Sequence, residues 1–225
     1  MTHSGDVLGV DGCRAGWVGI VLASDGGVRG VFGATMAELA AAAGPVDAVG
    51  IDMPLDVTDE AGPRASDLAA RAHLGRKRSS LFITPPHAAY LAPTYAEACA
   101  VSRRLTGKAP SRQAWGLGPK ILDVEAWCEG VDVPVREVHP EVSFSLLAGA
   151  PILASKATWA GLEARRAVLA TAGIVVPADL GDAGRAGPDD VLDAAVVAWS
   201  ARRIARGEAR SFPDEPRDGA PTIWA

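Results

Sequence analysis

The sequence has few cysteines, no long apolar run and no lysine or arginine in its first thirteen residues. Its three cysteines, Cys13, Cys99 and Cys128, are too few and too scattered for a disulfide framework or a thiolate metal site. No apolar run approaches the roughly 18 to 20 residues that a membrane-spanning helix needs. Residues 1–6 lack both the basic residues and the apolar core of a signal peptide. We therefore expect a cytoplasmic protein with no membrane partner.

The composition is that of a globular protein with a substantial core. Hydrophobic residues make up 48% and charged residues 22% of the 225 positions, a balance that argues against disorder. This length fits a single domain over residues 1–225. The strand-like rhythm breaks at about residues 57–131, where we predict a basic helical insertion. It holds helices at about 66–74, 95–105 and 111–129 around a loop at 79–93, in which prolines exclude a regular element.

Positive charge is concentrated in this middle part of the chain. Between Arg64 and Lys120 ten lysines and arginines face two acidic residues, whereas the whole chain carries a net charge of −5. The remainder must therefore carry −13. This separation of a basic segment from an acidic remainder is suited to binding a polyanion near metal cations held by the acidic residues. Any single arginine can equally belong to a solvated helix face.

A carboxylate interrupts the first apolar stretch. Residues 7–10 have the character of a buried strand, and Asp11 follows where that strand is expected to end. Short glycine-containing turns lead into two further strands, which predicts a three-stranded antiparallel meander. A buried carboxylate needs a cation or several hydrogen bonds, although Asp11 alone could simply cap the turn.

A second carboxylate occupies the matching place in the next strand. After a helix with Thr35 as its N-cap, residues 46–55 are mostly apolar, with Asp52 shortly before Pro54. A strand reached through a helix usually lies parallel to a neighbour in the same sheet. If it lies beside the first strand, Asp52 and Asp11 come together, and this pairing is the strongest signal in the sequence.

A third group of polar candidates lies at residues 133–141. Glu137 and His139 alternate along a predicted strand, and Pro140 breaks the register, so that Glu141 begins the next helix. Either glutamate could be a metal ligand. His139 could be a ligand, a general base or a hydrogen-bonding core residue.

The last predicted helix begins near Pro188 and carries two more acids on one face. Asp190 can be explained as an N-terminal capping residue, whereas Asp193 lies inside an apolar, alanine-rich stretch. From Gly207 we expect an extended or frayed tail. Its apolar residues Ile223 and Trp224, if exposed, would be compatible with a homodimer contact.

These motifs resemble the RNase H-like superfamily, which includes RuvC-type resolvases and retroviral-type integrases. The shared layout is an acid on the first strand of a meander, a second on the strand after one helix and a third on the terminal helix. More closely, the chain resembles an uncharacterised family of predicted RNase H-like nucleases, through VDGCRAGW (10–17), IDMP (51–54), GRKRSSLF (75–82), EVHPEVSF (137–144) and DVLDA (190–194). The resemblance implies an α/β fold whose mixed sheet combines the meander with parallel strands, flanked by helices.

The resemblance also implies a metal-dependent nuclease. Its ligands to one or two Mg²⁺ or Mn²⁺ ions would be Asp11, Asp52, one of Glu137 or Glu141, and Asp193 with Asp190. His139 would assist proton transfer. The implied substrate is nucleic acid, and the residues expected to bind it are Arg14, Arg76, Arg78, Ser79, Ser80 and Lys156.

Three other functions remain open. The acids could belong to a non-catalytic RNase H-like binding protein. The Asp-Gly strand and meander also resemble the start of actin-like phosphotransferases, although one chain of this length leaves no room for the second domain that these kinases need. A metal site acting on a small phosphoester or nucleotide is the third possibility.

Overall fold

A computed structural model describes residues 5–225. The prediction about the N-terminal segment rests partly on residues 1–4, which lie outside the described residues. The described chain forms one seven-stranded sheet with antiparallel and parallel neighbours, flanked by helices. The strands are β1 (Val7–Cys13), β2 (Gly16–Leu22), β3 (Val28–Gly33), β4 (Ala48–Ile51), β5 (Val135–Val138), β6 (Ser211–Phe212) and β7 (Ile223–Trp224). Their order across the sheet is β3-β2-β1-β4-β5-β7-β6.

The predicted meander and parallel strands are confirmed. β1 and β3 each pair with β2 in antiparallel fashion, and β4 lies parallel to β1 with Ile51 opposite Val10. One detail of the prediction is wrong, because β1 does not end at Asp11. The strand continues to Cys13, with Asp11 opposite Val18 in the β1–β2 ladder. Main-chain pairing continues past a buried carboxylate because the ladder uses only backbone groups.

Nine α-helices connect and cover the strands in the described part of the chain. They are α1 (Met36–Ala43), α2 (Ala65–Leu74), α3 (His87–Tyr90), α4 (Tyr95–Thr106), α5 (Arg112–Gly116), α6 (Gly118–Cys128), α7 (Pro140–Ala148), α8 (Trp159–Thr171) and α9 (Pro188–Ala205). Thr35 caps α1 as predicted, accepting a hydrogen bond from the Glu38 amide.

Two predictions in the middle of the chain are wrong. The loop at 79–93 contains the short helix α3, which starts directly after Pro86, a position where proline's fixed φ suits a helix start. The helix predicted over 111–129 is two helices, α5 and α6, because Pro119 stands in the first turn of a new helix. Residues from this region, including Tyr90, Ile121 and Val124, pack in one buried cluster with the strand residues Leu8, Val10 and Ile51. The domain organisation itself stays a prediction.

Helix α9 rests directly on the backbone of β1 and β4. Gly9 and Gly50 lie opposite each other in the two strands. A Cβ atom at Gly9 would stand 2.0 Å from the amide nitrogen of Ala198 and 2.3 Å from the carbonyl oxygen of Ala194. The helix can approach this closely only because both strand positions lack side chains. This contact fixes the helix that carries Asp193 over the strands that precede Asp52 and contain Asp11.

The C-terminal segment adds two strands to the sheet. β7 lies parallel to β5 and antiparallel to β6, so of the two expected forms of the tail the structure has extended segments rather than a frayed end. Ile223 is buried and Trp224 is half-buried, and the homodimer contact stays a prediction. Strands of two residues are too short to show the alternation by which strands are recognised. None of the helices within residues 5–225 combines the length and apolar character needed to cross a membrane.

Candidate metal centre

Three aspartates meet at the carboxyl ends of β1 and β4. Asp11 lies in β1, Asp52 directly follows β4, and Asp193 lies in the second turn of α9. Each contributes one carboxylate oxygen to a set in which every atom lies within 4.8 Å of the others. We call these residues the aspartate triad. Asp11 and Asp193 are only 7% and 2% exposed, so water compensates little of their mutual repulsion.

Burial and mutual repulsion raise the pKa values of all three triad aspartates. Burial, followed by the charges of Asp52 and Asp193, raises the pKa of Asp11 well above its ordinary value. Burial and the charge of Asp193 do the same to the pKa of Asp52. Burial raises the pKa of Asp193 to about 6, although the neighbouring Lys156 opposes that change. In the folded protein, nearby positive charges and hydrogen bonds therefore do not fully compensate the negative charges of the three carboxylates.

Lys156 is the cation in contact with the triad. Its Nζ atom lies 2.5 Å from Asp193 Oδ2 and 3.9 Å from Asp189 Oδ2. Burial by itself would lower the pKa of Lys156, but its attraction to Asp193 and the hydrogen bond that it donates to Asp193 outweigh that effect and raise the pKa. Lys156 is therefore charged in the folded protein. The other oxygen of Asp193, Oδ1, is buried and has no hydrogen-bond partner among the described residues.

Glu137 is held by an arginine that sequence reasoning missed. Arg64, immediately before α2, binds both oxygens of Glu137, with Nη1–Oε2 and Nη2–Oε1 distances of 2.9 and 2.7 Å. The amide of Leu55 donates a further hydrogen bond to Glu137. Arg64 also binds the fully buried Asp67, whose second oxygen accepts from the Thr84 amide. Both carboxylate oxygens of Glu137 are thus used within the protein.

Glu141 is balanced by two cations. Its Oε1 atom accepts a hydrogen bond from the completely buried Arg165, and Lys77 Nζ lies 3.7 Å from the same oxygen. Glu141 Oε2 is buried without a partner among the described residues. Arg165 shares the buried face of α8 with Gly161 and Leu169, which precede and follow it by four residues. A charged residue within such an apolar stripe was the signal that could have revealed this pair.

His139 is neutral in the folded protein. Burial lowers its pKa to about 4, although the charge of Glu141 acts in the opposite direction. Its Nδ1 atom is buried and lacks a hydrogen-bond partner in the part of the chain that the structure describes. A neutral imidazole with an unprotonated nitrogen has the form of a general base, but this buried nitrogen does not face open solvent. The catalytic role of His139 stays a prediction.

The predicted substrate-binding residues divide into two groups. One cavity of about 420 Å³ contains the triad together with Ser79, Ser80 and Lys156. Arg14, Arg76 and Arg78 are exposed and do not line this cavity. The cavity is also lined by Lys77, which stands between Arg76 and Arg78 in the same basic motif. Asp190 is half-buried in the first turn of α9 and lies outside the triad.

The triad could bind a metal ion. Carboxylate oxygens are hard donors of the kind that divalent cations take in proteins. The unsatisfied Asp193 Oδ1 and the excess of three acids over one lysine both favour an added positive charge. Within residues 5–225, no other group of three acidic, histidine or cysteine side chains meets the same distance criterion.

Replacing Asp11 by Asn is expected to stabilise the metal-free protein at neutral pH. A raised folded-state pKa means that the folded state binds more protons than the unfolded state above the ordinary value of 3.8. Stability is therefore lost as the pH rises through this window, and the loss is complete above the folded-state pKa. We expect Asp11→Asn to gain about 1 kcal/mol at pH 8, a gain that shrinks toward zero near pH 4.

Thermal unfolding in the presence of a chelator, at several pH values, measures this difference. Asp132→Asn, which neutralises an exposed acid away from the cavity, serves as the control and should change the melting temperature little at any pH. If Asp11→Asn is instead less stable than the wild type throughout, Asp11 is stabilised by its surroundings.

The fold and this site define a mixed α/β protein with a buried acidic cluster that could hold a metal ion. A family model described as "Protein of unknown function (DUF429)" matches residues 9–218, which include all three triad residues. The chain belongs to this family. The predicted membership of an uncharacterised family is thereby confirmed. Neither a search of curated proteins nor one of solved structures gave a match.

Proposed function

We propose that this protein is a metal-dependent phosphodiesterase that hydrolyses nucleic acid, with Mg²⁺ or Mn²⁺ held by Asp11, Asp52 and Asp193. We further propose that its fold is RNase H-like. The support for the fold is the placement of the acids, one in the meander, one after the strand reached through α1, and one on the long helix α9.

The observation that carries this proposal is the geometry of the aspartate triad. Its carboxylate oxygens lie within 4.8 Å of one another in a cavity, and one of them is buried without a partner among the described residues. Carboxylates gathered so closely repel each other unless a cation lies between them. Oxygens bound to one Mg²⁺ at about 2.1 Å stand at most about 4.2 Å apart, so small side-chain rotations complete such a site.

The lining of the cavity supports an anionic substrate. Lys77 and Lys156 supply positive charge, and Ser79 and Ser80 supply hydroxyl groups to the lining of the same cavity. Lysine and serine side chains are common partners of phosphate oxygens in protein–nucleic acid contacts. The positive excess of the segment from Arg64 to Lys120 favours a polyanion over a small phosphoester.

A bound Mg²⁺ or Mn²⁺ would activate water and stabilise the charge that develops on the phosphodiester. The protein's own contribution is to hold the three carboxylates in a fixed arrangement. Lys156 and Lys77 would bind and orient phosphate oxygens. The neutral His139, with a pKa of about 4, would take a proton only after a side-chain movement frees its Nδ1 atom.

A cleavage assay with matched variants tests the proposal. The purified protein is incubated with labelled single-stranded and duplex DNA, RNA and branched DNA, in Mg²⁺, Mn²⁺ or EDTA. We expect metal-dependent cleavage of at least one substrate. Asp11→Asn and Asp52→Asn should each reduce the rate at least about 100-fold, because each removes a charged ligand.

Glu163→Gln is the matched control, because Glu163 is an exposed acid of α8 outside the cavity and its loss should leave the rate unchanged. Metal binding by calorimetry without cleavage of any substrate would instead favour the non-catalytic binding function. Adding bis(p-nitrophenyl) phosphate and ATP to the panel distinguishes the small-phosphoester and phosphotransfer alternatives.

A further inference from the structure

Several acidic side chains in and around the triad are already contacted by lysine or arginine side chains, and one divalent ion balances the negative charge that remains. We propose that the aspartate triad binds a single divalent ion and that Lys156 takes the place of a second one. This inference rests on the proposed metal site and concerns its stoichiometry. Under this proposal, Lys156 supplies a permanent positive charge beside the substrate phosphate.

The two glutamates near the triad already have partners. Glu137 uses both oxygens in a paired contact with the guanidinium of Arg64, and Glu141 faces Arg165 and Lys77. Arginine remains charged when buried, so neither Arg64 nor Arg165 can release its glutamate by losing a proton. Freeing Glu141 for a metal would leave the buried Arg165 without its acidic partner. Freeing Glu137 would take away one of the two carboxylates that Arg64 binds. Glu137 therefore supplies no further ligand, and Glu141 offers only its buried Oε2 atom, which is fewer ligands than a second ion needs.

The remaining charges balance with one ion. Fully ionised, the triad carries three negative charges, and Lys156 contributes one positive charge. One divalent cation makes the sum zero, whereas two would leave an excess of two positive charges in a partly buried cavity. Excess charge of either sign is disfavoured where water is restricted.

Asp193 is placed to bridge the lysine and the ion. Its Oδ2 atom is 2.5 Å from Lys156 Nζ, while its Oδ1 atom is buried and has no partner among the described residues. In a site with two ions, the carboxylate would use one oxygen for each of them. Here the lysine occupies one of these two positions, and the free oxygen remains for the metal.

The backbone holds Lys156 in this position. Arg165 donates hydrogen bonds to the carbonyl oxygens of Ala154 and Gly161, and Thr158 caps the start of α8 by accepting from the Gly161 amide. A Cβ atom at Gly161 would stand 1.9 Å from the Ser155 carbonyl oxygen, so the turn before α8 packs directly against the first turn of the helix. These hydrogen bonds and this close packing fix the backbone of the turn that carries Lys156. The position from which its side chain reaches Asp193 is therefore fixed as well.

Manganese titration tests the stoichiometry without relying on turnover. We expect calorimetry to give one Mn²⁺ per wild-type chain and electron paramagnetic resonance to show the resolved six-line spectrum of an isolated ion. Lys156→Gln removes the positive charge and should bind two ions, with the broadened spectrum of a coupled pair. Lys156→Arg retains the charge and should again bind one ion.

Lys77→Gln is the matched control, because Lys77 lines the same cavity but contacts Glu141 rather than the triad. It should bind one ion. Two ions in the wild type, or one ion or none in Lys156→Gln, would overturn the role of Lys156 while leaving a metal site in the triad. A wild-type protein that binds no Mn²⁺ would remove the proposed metal site itself, and with it this inference.

Discussion

Gly9→Ala is expected to destabilise the protein by about 3 kcal/mol or more and to weaken Mn²⁺ binding. The added methyl group would lie 2.0 and 2.3 Å from backbone atoms of α9, and backbone cannot rotate away as a side chain can. Overpacking a tight contact of this kind costs about 1–3 kcal/mol, and occasionally more, because whole elements must move. The element that moves here carries Asp193, so the triad is expected to open.

Urea denaturation gives the stability change, and calorimetry with Mn²⁺ gives the change in binding. Gly130→Ala is the control, since Gly130 lies in a turn after α6 where a Cβ atom meets nothing within 4 Å. Its effect should stay within about 0.5 kcal/mol. Unchanged metal affinity in a Gly9→Ala protein that still folds would show that the position of α9 does not set the geometry of the triad.

Arg165→Met is expected to cost about 3–5 kcal/mol of stability. The substitution keeps much of the apolar stem but leaves Glu141 buried with only Lys77 nearby, and breaking a buried ion pair in this way carries a penalty of that size. The hydrogen bonds to the carbonyl oxygens of Ala154 and Gly161 are lost as well. Chemical denaturation of the metal-free protein measures the effect.

The double variant Arg165→Met/Glu141→Leu provides the internal check. With both charges gone, no uncompensated ion remains, and we expect most of the lost stability to return. A double variant whose loss equals the sum of the two single losses would show that the arginine and the glutamate do not stabilise each other.

The pairing of the first two acids was predictable because it follows from rules that act over short distances. Apolar residues mark the two strands, the helix between them requires a crossover, and a crossover makes the strands parallel. Asp11 and Asp52 then fall at the same edge. Asp193 was predictable for a different reason, since an ionisable residue in the middle of an apolar helix face must find a partner inside the protein.

The partners of the glutamates could not be predicted in the same way. Arg64 and Glu137 are 73 positions apart, and no local pattern tells which of many arginines will reach a given acid. The sequence also misled where local rules compete. Prolines in the loop 79–93 were expected to exclude regular structure, but α3 begins directly after Pro86. Pro119 was placed inside one long helix, whereas it stands in the first turn of α6. The C-terminal strands pair over two residues each, which is too little for a periodic signal.

The triad draws its members from opposite ends of the chain, and this has a consequence for folding. Asp11 and Asp193 come together only when α9 packs against β1 and β4. The contact between α9 and β1 joins segments that are far apart in sequence. No partly folded form without α9 in place contains the site. Local opening of that helix therefore also removes the metal-binding arrangement. The free energy that protects the site from opening is no larger than the free energy that holds α9 against β1 and β4.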